Sequence, residues 1–343
     1  MTETKSNTVA PKLSRKDYMS DQAVKWCPGC GDYAILASVQ NTFAQLGKNR
    51  DNTVFVSGIG CSSRFPYYMN TYGFHTIHGR AAAVATGIKI ANPSLDVWVA
   101  TGDGDSFSIG GNHFIHAIRR NIGIKILVFN NEIYGLTKGQ YSPTSKQGVV
   151  TKSTPYGSLD RSFIPASLAL GAEATFYARV VDTNPKHMTE IFTAAADHKG
   201  TAFVEILQNC VIFNDKTHRA ITDKEMRDDN QLVLEHGKPM IFGKNRDKGL
   251  VMNGCDFKVV RLGEDGITEN NLLVHDAHRE SLNLAFMLSR LTLPEFPVPL
   301  GIFRQVARPA YEEQINSQIQ EIKNKKGAGD LKRLLNSGGT WVV

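Results

Sequence analysis

Two short glycine-bearing segments carry oxygen ligands at a spacing that could hold a cation and a phosphate group. GDGDSFSIGG (102–111) closes the β-branched run DVWVATG (96–102), and NNEIYGLTKGQ (130–140) closes GIKILVFNN (123–131). Each apolar run reads as a buried strand, so both segments sit at strand C-termini. A strand ending in Gly-Asp-Gly presents one carboxylate where the backbone lets a ligand come close, and Asn131 supplies an amide oxygen from a neighbouring strand end. Two hard oxygens with a main-chain carbonyl suit Mg²⁺, which leaves the rest of its octahedron to phosphate oxygens. Backbone N–H groups of the glycine turn and of the helix after it would meet a diphosphate. Alone, GDGD is also an ordinary surface turn and NN an ordinary loop. The pair says more, because 25 residues (105–129) separate the two motifs and each caps a strand.

The second reactive set is sulfur. WCPGC (26–30) places Cys27 and Cys30 in one turn, and Cys61 and Cys210 can complete four thiolates, leaving Cys255 over. Five cysteines in 343 residues, an odd and low number, argue against a secreted disulfide framework and for thiols kept reduced. A thioredoxin-like dithiol needs a buried strand before its CxxC, and KDYMSDQAVK (16–25) is polar. A Cys₄ site stays open to zinc or to an iron-sulfur cluster. His75 and His78, like His113 and His116, have H-x-x-H spacing; the second pair reads as polar-edged helix positions near the core rather than as ligands. Trp26 and Trp98 read as packing.

Positioning these groups takes alternating strands and helices. Leu36, Val39, Phe43 and Leu46 recur at helical spacing after the CPGC turn, with Gly47 as the C-cap. TVFVSG (53–58) is a strand and Arg80 to Ala91 an Ala-rich helix stopped at Asn92-Pro93. A helix over 111–120, strands at 175–181 and 201–207 and a helix over 186–198 continue the alternation. The pattern predicts a doubly wound, mostly parallel α/β sheet with functional loops at the strand C-termini. Residues 1–20 read as a flexible lead-in and 21–215 as the α/β domain. Residues 216–343 read as an irregular extension packing on that domain or on a partner, with helices at 277–291 and 311–323.

Composition narrows the class. Hydrophobic residues at 41% and charged residues at 21% fit an ordinary globular protein. The 39 Lys plus Arg against 33 Asp plus Glu give a net charge of +6, scattered without the basic block and interleaved aromatics of a nucleic-acid binder. No apolar stretch approaches a membrane span and the N-terminus is polar, so the expected location is the cytoplasm.

The spacing of GDG and NN resembles the thiamine diphosphate (TPP) motif of TPP-dependent enzymes, and the likeness covers most of the chain. WCPGCGDYAIL, SGIGCSSR, HTIHGR, GDGDSFSIGGNHFIHAIRRNIGIKILVFNNEIYGLTKGQYSPTS and QNCVIFN together resemble the β subunit of 2-oxoacid:ferredoxin oxidoreductases. The resemblance implies three bound groups: TPP, Mg²⁺ and one [4Fe-4S] cluster. It makes Asp103, Asn131 and the Ile133 carbonyl the Mg²⁺ ligands, and Cys27, Cys30, Cys61 and Cys210 the cluster ligands. TPP contacts would come from Ile59, Gly60, Cys61 and Ser62, from His78, Gly79 and Arg80, and from Gly104, Asp105, Gly135 and Leu136. Cys61 in a TPP-contacting loop would bring the cluster close to the cofactor.

The implied reaction is oxidative decarboxylation of a 2-oxoacid, or its reverse, with coenzyme A taking the acyl group and ferredoxin the electrons. The carboxylate that activates TPP is expected on an α subunit, so the chain should work in an αβ complex and hold no general base of its own. Arg64 is a candidate partner for the second carboxylate of a dicarboxylic substrate, which favours 2-oxoglutarate. A diphosphate contact or a structural ion pair would explain Arg64 equally. The rival readings are pyruvate or a broad range of 2-oxoacids as substrate, and a zinc-stapled TPP-fold protein without catalysis.

Overall fold

The computed structural model describes residues 13–339 and 341. Its main sheet holds eight strands in the order β2-β1-β3-β4-β6-β5-β11-β7. These are β1 (Thr53–Ser57), β2 (Tyr72–His75), β3 (Asp96–Gly102), β4 (Ile124–Asn130), β5 (Phe176–Val181), β6 (Ala202–Leu207), β7 (Gln231–Leu234) and β11 (Val298–Gln305). From β2 through β5 every neighbouring pair is parallel, whereas β11 lies antiparallel to β5 and parallel to β7.

Why the central strands read as continuous apolar runs is visible in their alternation. In β4, Ile124, Ile126 and Val128 face one core while Leu127 and Phe129 face the other. Helices α3 (Ala81–Ala91) and α5 (Gly111–Arg119) cover the first face. The second is covered by α1 (Asp32–Leu46) and α7 (Pro185–Asp197), which pack on each other. Both faces are therefore dry, as a parallel sheet requires. Each large side chain buried this way contributes about 1.5–3 kcal/mol. Gly47 ends α1 at φ +61°, the left-handed conformation expected of its C-cap.

After β1 the chain runs outward to β2 and then returns past β1 to form β3. That reversal opens a crevice at the C-terminal ends of β1 and β3, where ligands of open α/β sheets bind. The site motifs of residues 58–62 and 102–105 lie there.

Three expectations are corrected. The lead-in does not extend to residue 20: Arg15–Tyr18 is a 3₁₀ turn, Tyr18 is fully buried, and its hydroxyl donates to the Lys48 carbonyl at 2.5 Å. Residues 1–12 of that lead-in lie outside the described residues. Beyond 215 the chain is not mainly irregular, since β7 and β11 extend the main sheet while β8 (Ile241–Phe242), β9 (Lys248–Asn253) and β10 (Asp256–Arg261) form a small antiparallel sheet. Three prolines in LPEFPVPLG hid β11. Pro299 fits because pairing with β5 begins only at Gly301, so no ladder bond to β5 is lost. The helix expected over 277–291 is confined to Asn283–Ser289.

Among the described residues no helix is long and apolar enough to cross a membrane.

One buried ion pair spans neighbouring strands. Arg179 Nε donates to Glu205 Oε2 at 2.9 Å, Tyr177 donates to the same oxygen at 2.5 Å, and Asn130 Nδ2 donates to Oε1 at 2.8 Å. Arg179→Met leaves a carboxylate in a dry interior, and we expect it to lower unfolding stability by about 3–5 kcal/mol in denaturant titration.

Candidate active site

A cavity of about 470 Å³ opens at the C-terminal ends of β1, β3 and β4. The β1 loop lines it with Ile59, Gly60, Cys61 and Ser62, and the loop after β2 adds His78. The β3 end adds Asp103, Gly104 and Asp105, and the β4 end adds Asn131, Ile133, Gly135 and Leu136. Four segments that are far apart in sequence thus meet around one space, at the loops the strand pattern pointed to.

The glycines are there because the backbone runs tight against side chains. A Cβ on Gly104 would lie 2.3 Å from the Tyr134 ring, whose hydroxyl donates to the Gly104 carbonyl at 2.9 Å. A Cβ on Gly58 would lie 1.8 Å from Asp105 Oδ2. That carboxylate is a hub: its Oδ1 accepts from Ile59 N at 3.0 Å, Gly79 N at 2.7 Å and His78 Nδ1 at 2.6 Å. Its Oδ2 accepts from Thr101 Oγ1 at 2.8 Å. Asp105 therefore faces the cavity and also holds three of its walls together.

Asp103 is 2% exposed, and burial pushes its carboxyl up to about 6. Its Oδ2 accepts from Ser142 at 2.5 Å and Thr144 at 2.6 Å. Thr144 also reaches Asn130 Oδ1 at 2.9 Å, tying Asp103 to the Arg179 and Glu205 pair. Asn131 Oδ1 accepts from Ile133 N at 3.2 Å, folding the chain so that Asn131 and Ile133 line the same cavity.

A second cavity of about 220 Å³ adjoins the first and is lined by Cys27, Cys30, Cys61 and Cys210. The two share Asp32, Cys61, Asn131, Gly135 and Leu136 as wall. Gly135 stands between two of the thiols: an added Cβ would be 3.6 Å from Cys210 Sγ and 3.7 Å from Cys61 Sγ. Burial, helped by the neighbouring Asp32 carboxyl, pushes Cys61 up to about 12 and Cys30 well above the ordinary thiol range. Binding a cationic centre favours the thiolate and so displaces the proton of such a buried thiol. Among the described residues no three His, Cys, Asp or Glu side chains converge closely enough for a single ion. Cys255 is exposed in the turn between β9 and β10, outside both cavities.

Of the residues expected to contact TPP or substrate, three fall outside the first cavity. Gly79 packs against Gly110 and acts through its N–H to Asp105, and Arg80 caps α3 and donates to the His78 carbonyl at 3.3 Å. Arg64 lines the cysteine cavity, because the 3₁₀ turn Ser62–Arg64 rotates it away from the face that Ser62 presents. Its charge favours the Cys61 thiolate, and among the described residues it has no ion-pair partner. His113 and His116 lie on α5, away from both cavities.

Sequence reasoning missed Tyr134, and it missed Ser142 and Thr144 although the hydroxyl-rich SPTS run was a signal for those two. It also missed Asp32, buried between the cavities and pushed up by that burial to about 7. Trp26, expected only to pack, also donates from Nε1 to the Cys61 carbonyl at 2.7 Å.

Residues 58–206 match the C-terminal TPP-binding domain of thiamine pyrophosphate enzymes. Over 331 residues the chain is 53% identical to the 2-oxoglutarate oxidoreductase subunit KorB of Mycobacterium tuberculosis, covering 96% of this chain and 88% of that one. It is 49% identical over 198 residues to the beta subunit of 2-oxoacid:ferredoxin oxidoreductase 1 of Aeropyrum pernix, covering 58% and 62% of the two chains. The fold is similar, with a TM-score of 0.76 and 33% identity, to a chain of the 2-oxoglutarate:ferredoxin oxidoreductase from Magnetococcus marinus solved with 2-oxoglutarate, coenzyme A and succinyl-CoA bound; 96% of this chain and 97% of that one are covered. With a crevice at the right strand ends and a relative alike over nearly its full length, the chain belongs to the β-subunit family of the 2-oxoacid:ferredoxin oxidoreductases.

Proposed function

We propose that the chain is the TPP-binding subunit of an enzyme that converts 2-oxoglutarate and coenzyme A to succinyl-CoA and CO₂, or runs the reverse. Four cysteines would hold a [4Fe-4S] cluster, which would supply one-electron transfer to ferredoxin. The observation that carries this reading is the wall shared by the two cavities, in which Gly135 stands beside Cys61, one of four thiols lining the second cavity and the one that also faces the first. Cofactor and cluster would then lie side by side, with no mobile carrier between them.

Bound TPP supplies carbanion stabilisation; the chain supplies position and charge. Asp103, Asn131 and the Ile133 carbonyl would hold Mg²⁺, with Asp103 aimed by Ser142 and Thr144. The Ile59 to Ser62 loop, His78, Gly104, Asp105, Gly135 and Leu136 would enclose the cofactor. Cys27, Cys30, Cys61 and Cys210 would ligate the cluster, the usual complement of four thiolates. A polynuclear cluster spaces its thiolates further apart than one zinc ion does, which fits four cysteines around one cavity without a tight triad.

The choice of 2-oxoglutarate follows the relatives and not Arg64, which opens on the cysteines. The TPP-activating carboxylate belongs to the α subunit in this reading, and the net charge of +6 suits an acidic electron carrier.

The decisive test is anaerobic purification with the partner subunit, followed by iron and sulfide analysis and viologen reduction with coenzyme A. We expect about four irons per β chain and turnover on 2-oxoglutarate well above pyruvate. Turnover on pyruvate alone would overturn the substrate, and zinc without turnover would overturn the electron-transfer role. Within the Mg²⁺ site, Thr144→Val should weaken Mg²⁺-dependent TPP binding about 10–100-fold by calorimetry, as loss of an outer-shell partner does. Asp103→Ala should abolish it while the circular dichroism stays that of the folded chain.

A further inference from the structure

Gln208 follows β6 directly and has no part in the site described so far. Its side chain is 1% exposed and lines the cysteine cavity. One N–H of its amide donates to the Asn209 carbonyl at 2.6 Å, and the amide nitrogen also donates to Cys30 Sγ at 3.3 Å. Among the described residues its Oε1 is buried without a hydrogen-bond partner. Leaving an amide oxygen unpaired in a dry site is destabilising. The surroundings hold the residue there regardless: Gln208 N donates to the Asn130 carbonyl at 3.0 Å, Asn209 N to Asp182 Oδ2 at 2.8 Å, and Gly31 N to the Asn209 carbonyl at 3.3 Å. The ends of β4, β5 and β6 and the start of α1 thus aim one amide dipole at one sulfur.

We propose that Gln208 sets the reduction potential of the cluster, its side-chain N–H stabilising the reduced state through the Cys30 sulfur. This rests on the cluster reading of the cysteine cavity. Reduction adds one electron, and the extra negative charge spreads onto the thiolate sulfurs. A fixed N–H dipole stabilises that state more than the oxidised one, so it raises the potential. The Asp32 carboxyl beside Cys30 acts in the opposite sense. Gln208 is a positioning residue here and touches no substrate.

The test uses the complex purified anaerobically with its partner subunit and a dithionite titration followed by EPR. Gln208→Leu removes the donor, and Gln208→Glu keeps the shape while adding charge. We expect Gln208→Leu to weaken one-electron reduction about threefold to tenfold, tenfold being about 59 mV, and Gln208→Glu to weaken it further. Unchanged potentials in variants that keep their iron overturn the proposal. A wild-type complex without a four-iron signal overturns the cluster reading instead. Pulsed EPR of the reduced wild type labelled with ¹⁵N-glutamine needs no variant: a nitrogen coupled to the cluster is expected, and its absence also overturns the proposal.

Discussion

The site depends on one carboxylate. Asp105 accepts hydrogen bonds from the β1 loop, from the loop after β2 and from the end of β3, and each of those segments carries part of the first cavity's wall. Without it, main-chain N–H groups of Ile59 and Gly79 would lose their acceptor, and an unpaired buried amide costs about 1–3 kcal/mol. The glycine at position 58 follows from the same constraint, since any side chain there would occupy the place of the carboxylate. The turn motif that reads as a phosphate cradle is thus also a structural clasp.

Around that clasp the molecule separates two chemistries by a thin wall. One side is rich in oxygen, with Asp103 and Asn131 backed by the hydroxyls of Ser142 and Thr144. The other side is sulfur, gathered from the turn before α1, the β1 loop and the end of β6. Gly135 fits between the thiols because it has no side chain, and Arg64 and Asp32 bring opposite charges to the Cys61 sulfur. Sulfur from three separate segments converges because parallel strands all deliver their loops to one end of the sheet.

Much of the central fold was legible. The runs at 96–102 and 123–131 are apolar on both faces, and only a parallel sheet covered twice buries such strands completely. The C-terminal region was not legible, for reasons that lie in its contacts. β11 carries Pro299 and follows Pro294 and Pro297, which local rules place outside sheets, and it is a strand because β5 and β7 offer it pairing partners. β8 has only two residues, and the apolar residues of the small sheet are divided: Ile241 and Val260 pack with Leu272, while Phe242, Leu250 and Phe257 join the core of the main sheet.

The sequence by itself determined the types of the candidate ligands and, for GDG and NN, their strand-end positions. GDG, NN and the CPGC turn are local arrangements, and a strand followed by a glycine turn exposes its polar group whatever surrounds it. Only the tertiary structure decided which groups face each other. It turned Arg64 toward the thiols, put the Gly79 N–H behind the cavity on Asp105, and set Ser142, Thr144, Asp32 and Gln208 against the proposed ligands. Those pairings join residues up to 178 positions apart, as between Cys30 and Gln208. They exist because the order of strands in the sheet differs from their order in the chain, and no local pattern encodes that difference.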